Sequence, residues 1–205
     1  GVEEIFKIGD DKESKLDIFD EDYLAKIDKI KLPHTKIKLL QKLLSKAIEE
    51  YKKTNRVKAM DFSKKMNTLI EAYNERSSDV LSSEVLEDFS DEIMDLYLDL
   101  LKDKDSFSDL GIDFEEKAFY DILKMLMIKY DFEYPDDKLL SLAKEVKKTV
   151  DNNTKYTDWN HRADIKAKLK ADLIVLLAEN GYPPVDRDVV YKEIFEQAEN
   201  FKKYN

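Results

Sequence analysis

Apolar residues in this chain recur at steps of three and four, run after run, and nowhere alternate for the length of a strand. Ile37, Leu40, Leu44, Ile48 and Tyr51 form one such run, and Phe62, Met66, Leu69 and Tyr73 form the next. Leu86, Phe89, Ile93, Leu96 and Leu100 follow, then Ala118, Ile122 and Met125. The series closes with Leu139, Leu142, Val146 and Val150, with Ile165, Leu169, Leu173 and Leu176, and with Val190, Ile194, Ala198 and Phe201. Each set draws one apolar stripe along a helix. With 4 Gly and 4 Pro in 205 residues, the chain has few places where a helix must break. The expected fold is all-α, an irregular bundle of about seven helices with no sheet.

Turn-forming stretches separate the stripes. They are Pro33, the Ser77-Ser78-Asp79 and Ser82-Ser83 runs, KDKDSFSDLG ending at Gly111, YPDD from Tyr134 to Asp137, DNNTKYTD from Asp151 to Asp158, and GYPP from Gly181 to Pro184. Residues 1–30 are acidic and weakly patterned and read as a lead-in from a preceding domain; residues 31–205 read as the helical domain. The chain does not start with Met, which suggests a piece of something longer. No apolar run approaches the roughly 20 residues that a membrane span needs, and the acidic start is unlike a signal peptide. The lack of Cys rules out disulfides and thiolate zinc sites and fits a reducing cytoplasm.

The formal net charge of −10 is unevenly spread. Residues 31–76 carry 12 bases against 5 acids, residues 77–137 carry 5 against 19, and residues 138–205 carry 13 against 11. Such blocks read either as opposed surfaces, the basic one facing a polyanion or acidic partner, or as two solvated helix faces of different sign.

Catalytic patterns fail one by one. The four glycines are too scattered for a P-loop or dinucleotide fingerprint, in which clustered glycines let backbone amides approach phosphate. Pro135-Asp136 followed by Glu145-Val146-Lys147 spells the PD…ExK pattern of metal-dependent nucleases. Both halves fall on one expected helix, however, with Asp136 and Glu145 on opposite faces, so they cannot share a metal. Asp136 or Asp137 reads as a helix cap. His161 with Asp158 and Asp164 reads as capping and exposed acids rather than a metal site, and His34 stands far away. No catalytic, cofactor-binding or metal residue is assigned.

The stretch DWNHRADIKAKLK, running on into ADLIVLLAENGYPP, is the most distinctive. Thr157 or Asp158 is expected to cap a helix on which Arg162, Lys166 and Lys170 make a basic stripe at i, i+4 and i+8. Trp159 is expected as a buried anchor, Gly181 as the left-handed stop, and Pro183-Pro184 as the block to resumption. The stripe contacts phosphate, docks a partner or faces water; spacing alone does not choose.

The segments IKLPHTKIKLLQKLLSKAIEEYKK, KAMDFSKKMNTLIEAYNER, LGIDFEEKAFYDILK, YTDWNHRADIKAKLKADLIVLLAENGYPP and VYKEIFEQAENFKKY occur in that order. Together, from Leu32 to Asn205, they resemble the C-terminal helical domain of the R subunit of type I restriction–modification enzymes. IFDEDYLAKIDKI resembles the exit from that subunit's second motor lobe. The pattern is matched at Trp159, Arg162, Lys166, Lys170, Gly181, Tyr182, Pro183 and Pro184. The resemblance implies a parent subunit that is an ATP- and magnesium-using type I site-specific deoxyribonuclease with helicase-like translocase lobes. It implies that this part is non-catalytic and fastens the motor to the M and S methyltransferase core and to the motor lobes of its own chain, in a bacterial or archaeal cytoplasm. The alternative is a helical domain that grips duplex DNA through the basic block, with Lys38, Lys42, Lys46 and Lys53 as contacts and weak hold on bare duplex.

Overall fold

The computed structural model describes residues 18–76, 83–183 and 187–205. Among them are eight α-helices and no strand: α1 (Glu21–Asp28), α2 (Pro33–Lys52), α3 (Arg56–Asn74), α4 (Ser83–Asp105), α5 (Phe114–Lys129), α6 (Asp136–Asn153), α7 (Ala163–Glu179) and α8 (Arg187–Tyr204). A 3-10 turn, Trp159–His161, precedes α7. Every expected stripe lies on a helix. The eighth helix, α1, buries Tyr23 and Ile27 from a stretch whose pattern is too short to read as periodic. Loop boundaries shift where polar residues continue a helix: Lys102–Asp105 extend α4 and Asp151–Asn153 extend α6. The turn-forming residues 77–82 and Pro184 lie outside the described residues.

Helix starts and stops follow local chemistry. Pro33 opens α2, where a missing N–H costs nothing. Asp113 and Glu116 form a reciprocal capping box on α5, each side chain accepting the other's backbone N–H at 2.7 and 2.8 Å. The expected cap on α6 is not made: Pro135 occupies the capping position, and Asp136 and Asp137 sit in the first turn, favourable to the helix dipole. Asp136 instead accepts the Tyr120 hydroxyl at 2.7 Å. The ends of α5 and α7 share one motif. Phe132 N–H bonds to Met127 C=O at 3.1 Å and Tyr182 N–H to Leu177 C=O at 3.0 Å, around a left-handed residue in each case. At α7 that residue is Gly181, φ 68°; at α5 it is Asp131, φ 51°.

The chain forms two compact units: residues up to Lys52 together with Ala59–Lys104, and Lys53–Lys58 together with Asp105–Asn205. In the first, α2 buries Ile37, Leu40, Leu44, Ile48 and Tyr51 as expected, and also Leu39, Leu43 and Ala47, so its apolar face is wider than a single stripe. It shares a core with Tyr23 and Ile27, Phe62 of α3, and Leu86, Phe89, Ile93, Leu96 and Leu100 of α4. The Tyr51 hydroxyl donates to Asp103 at 2.6 Å and the Tyr97 hydroxyl to the Ile18 carbonyl at 2.7 Å, satisfying polar tips at the core edge.

In the second unit α5 packs on α6 and α8, and α6 on α7. Leu123, Leu126, Leu139, Leu142, Val146, Leu169, Leu173 and Ile194 are the centre of its core. The turn Lys53–Lys58 joins this unit through polar groups. Gln197, 2% exposed, accepts the Arg56 N–H at 2.9 Å and donates to the Thr54 carbonyl at 2.8 Å. Asn55, equally buried, caps α3 through the Lys58 N–H and donates to Asp121 at 2.7 Å. Asp121 also receives the ammonium of Lys117, which is 3% exposed, at 2.6 Å.

Two outcomes are expected. Asp121→Ala removes the carboxylate that receives the buried Lys117 ammonium and the Asn55 amide and costs about 3–5 kcal/mol in chemical denaturation, whereas Lys117→Met with Asp121→Leu recovers the part due to the buried charge. Asp131→Gly removes side-chain strain at a left-handed position and raises stability by about 0.5–1 kcal/mol in the same assay.

Candidate functional site

The turn and helix from Trp159 to Pro183 carry most of the residues singled out by sequence. Trp159 is 1% exposed and shares a core with Phe119 of α5, Val150 of α6 and Ala198 of α8. It is the anchor expected, but the cap beside it is not. Asp158 makes no capping bond, the chain takes a 3-10 turn through His161, and α7 starts at Ala163 after an extended Arg162. The buried indole holds the chain in the tight turn, and the helix begins once it is past.

The basic stripe is paired within the second unit. The Arg162 guanidinium donates to Asp164 at 3.0 Å, holding that carboxyl below the usual range, and lies 5.4 Å from the Tyr156 ring. Lys170 reaches Asp188 at 3.4 Å and lies over the Tyr191 ring at 5.5 Å. Lys166 is 4.0 Å from Glu199. Two of the three bases thus turn towards α8 acids. These pairs are half-exposed and worth little each, so a partner can exchange them. The acids were not singled out from sequence: Asp188 and Glu199 lie 18 and 33 positions from their bases, and no local spacing reports that.

A firmer polar contact lies on the opposite flank. Asp172 receives Lys168 at 2.8 Å and Asn153 at 3.0 Å, which holds its carboxyl below the usual range and ties α7 to the end of α6. The far end is fixed by aromatics. The Tyr182 hydroxyl donates to the Leu123 carbonyl at 2.9 Å, and burial pushes its ionisation up. Its ring meets Phe132 and Tyr134 edge-on at 5.3 and 5.5 Å, and the Tyr134 hydroxyl donates to the Asn180 carbonyl. Gly181 and Tyr182 are therefore structural. Pro183 follows them, half-buried.

The outward side of α7 is unlike a solvated helix. Ala167, Ala171, Val175 and Ala178 are all exposed, Val175 at 53%. ADLIVLLAE is apolar nearly all round, a pattern typical of a helix covered on every side.

Of the other candidate contacts, Lys38, Lys42 and Lys46 fall at i, i+4 and i+8 on α2, the first two exposed and Lys46 half-buried. Lys53 lies past the end of that helix, in the second unit. The structure brings three of these four lysines onto one helix and not the fourth. In the same unit as α2, α4 exposes Glu84, Glu87, Asp88, Asp91, Glu92, Asp95 and Asp99. Among the described residues, no group of three or more His, Asp or Glu could hold a metal ion, and no helix is long and apolar enough to cross a membrane.

The all-α fold, the Trp-anchored turn and the Gly-Tyr-Pro stop define a helical domain, and its relatives give it a family. The chain belongs to the family described as type I restriction enzyme HindI endonuclease subunit-like, C-terminal, whose model matches residues 1–204. It is 25% identical over 206 residues to a Methanocaldococcus jannaschii protein assigned as the type I restriction enzyme MjaIXP endonuclease subunit, covering 96% of this chain. It is 22% identical over 199 residues to the type I restriction enzyme HindI endonuclease subunit of Haemophilus influenzae, covering 97% of this chain. The chain spans 18% of the length of each relative. No solved structure matches it.

Trp159→Ala is expected to cost about 3–5 kcal/mol and to lower the melting temperature sharply. Replacing Arg162, Lys166 and Lys170 each by Ala costs about 0–1 kcal/mol apiece, because half-exposed pairs contribute little. Thermal melts followed by circular dichroism separate the two classes.

Proposed function

We propose that this domain docks the endonuclease subunit of a type I restriction enzyme onto its M and S methyltransferase core. The observation that carries the reading is the outer face of α7, where Ala167, Ala171, Val175 and Ala178 leave an apolar strip uncovered along a helix whose second half, ADLIVLLAE, is apolar nearly all round. Small residues there let a partner helix approach closely. The family assignment supports the same reading, since the relatives are named as subunits of such an enzyme. In this reading the ATP- and magnesium-dependent chemistry belongs to the parent subunit's other domains. The domain itself is non-catalytic, meets the motor lobes of its own chain, and works in a bacterial or archaeal cytoplasm.

A second reading, direct grip on duplex DNA, draws on Lys38, Lys42 and Lys46 along α2. The exposed acids of α4 in the same unit oppose it by repelling phosphate.

The 205-residue chain, immobilised, should capture the cognate M–S core without DNA. Ala171→Glu with Val175→Glu should weaken capture by about tenfold or more while leaving the melting temperature within a few degrees, as a surface change away from core and caps does. Bare duplex should bind poorly in about 0.15 M salt, any residual affinity falling with a log–log salt slope of about −3 for three phosphate contacts. Tight duplex binding without core capture would transfer the function to the second reading.

A further inference from the structure

The second unit contains a concavity that the docking reading does not use. It opens between the first turn of α5, the end of α6, the Trp159 turn and the last turns of α8, and holds about 200 Å³. Its apolar lining is aromatic for the most part: Phe119, Trp159 and Phe201, with Val150. Two carboxylates line it, Glu115 from α5 and Asp151 from α6.

The charge around these carboxylates does not balance. One ammonium, Lys147, serves Asp113 at 3.2 Å and stands 3.8 Å from Glu115 and 3.9 Å from Asp151. Only the Asp113 contact is a hydrogen bond. The lysine that lines the pocket, Lys202, donates to the Thr154 carbonyl at 3.3 Å and the Tyr156 carbonyl at 2.7 Å, covering the end of α6 rather than the two acids. Glu115 and Asp151 are both raised above the usual carboxylate range, by burial first, with Lys147 pulling back only in part. Asp113 adds to the rise at both, and Glu116 adds to it at Glu115.

The size of the space limits what enters. Drug-sized ligands and cofactors occupy cavities of about 300–1,000 Å³, more than this one offers. A single long side chain suits it. An aliphatic stem would lie against the aromatic walls, and a cationic head would meet the two under-neutralised carboxylates, with the rings adding cation–π attraction. We propose that this pocket receives an arginine or lysine side chain from a partner polypeptide.

The only Trp in the sequence lines the pocket, so its emission reports on occupancy. The 205-residue chain is titrated with N-acetyl-arginine amide, and in parallel with N-acetyl-norleucine amide, which keeps an aliphatic stem without the charge. The expected result is a saturable change with the arginine probe and none with the norleucine probe at the same concentrations. Glu115→Gln with Asp151→Asn should weaken the arginine response by about tenfold or more, the worth of a charge-assisted hydrogen bond.

The double variant should still fold. An acid whose folded pKa lies above its unfolded value opposes folding once it ionises, so removing both charges leaves the neutral-pH melting temperature no lower than the parent's. Asp151→Asn alone, at the less enclosed of the two acids, provides a second and milder variant with a partial loss. A flat arginine titration, an equal response to norleucine amide, or undiminished binding in the variants would overturn the proposal. No other subunit takes part, so failure here is distinguishable from failure of the docking reading.

Discussion

The carboxylate of Asp121 receives an ammonium that is almost wholly buried in this protein. Lys117 is all but sealed from water, and an unpaired ammonium there would be prohibitively expensive. Asp121 accepts that ammonium and the amide of Asn55 together, so one side chain of α5 satisfies both its own helix and the turn that opens α3. Apolar burial is tolerant of small slips, but these polar groups are not, because each must find a partner at hydrogen-bond distance. The turn Lys53–Lys58 can occupy its place in the second unit in essentially one register.

Much of the fold was legible in the sequence, and the reason is geometric. A stripe at steps of three and four is a local property, and every run read from it lies on a helix in the structure. The residues of α2, α4 and α6 that define the stripes are also the ones buried. Helix ends were less legible. Gly181 announces its left-handed turn because glycine alone is at ease there, but Asp131 adopts the same conformation without any such signal. The start of α7 misled for a different reason. Asp158 has the chemistry of a cap, yet the buried indole of Trp159 draws the chain into a 3-10 turn first, so tertiary packing overrides local preference.

The candidate site was legible only in part, for a related reason. Lys166 and Lys170 share a face of α7 as their spacing requires, with Arg162 just ahead of the helix, but the α8 acids that the two lysines meet are set by how two helices pack. The same holds for the aromatic pocket, whose walls come from four separate elements. The uncovered face of α7 could in principle have been noticed, since five consecutive apolar residues from Leu173 to Leu177 exceed what one stripe needs. Apolar residues in surplus to a stripe carry no periodic signal of their own. Here the surplus is the uncovered surface on which the proposed docking rests.

The second unit is not a continuous stretch of chain. Its earliest part, Lys53–Lys58, meets residues near the far end: Arg56 bonds Gln197 across 141 positions and Lys53 bonds Asn205 across 152. During synthesis the turn therefore waits, its backbone groups bonded to water, while more than a hundred further residues emerge. Closing so long a loop is entropically costly and slow compared with forming any single helix. The helices of the first unit can pair as they appear, whereas the second unit is completed only when α8 has left the ribosome.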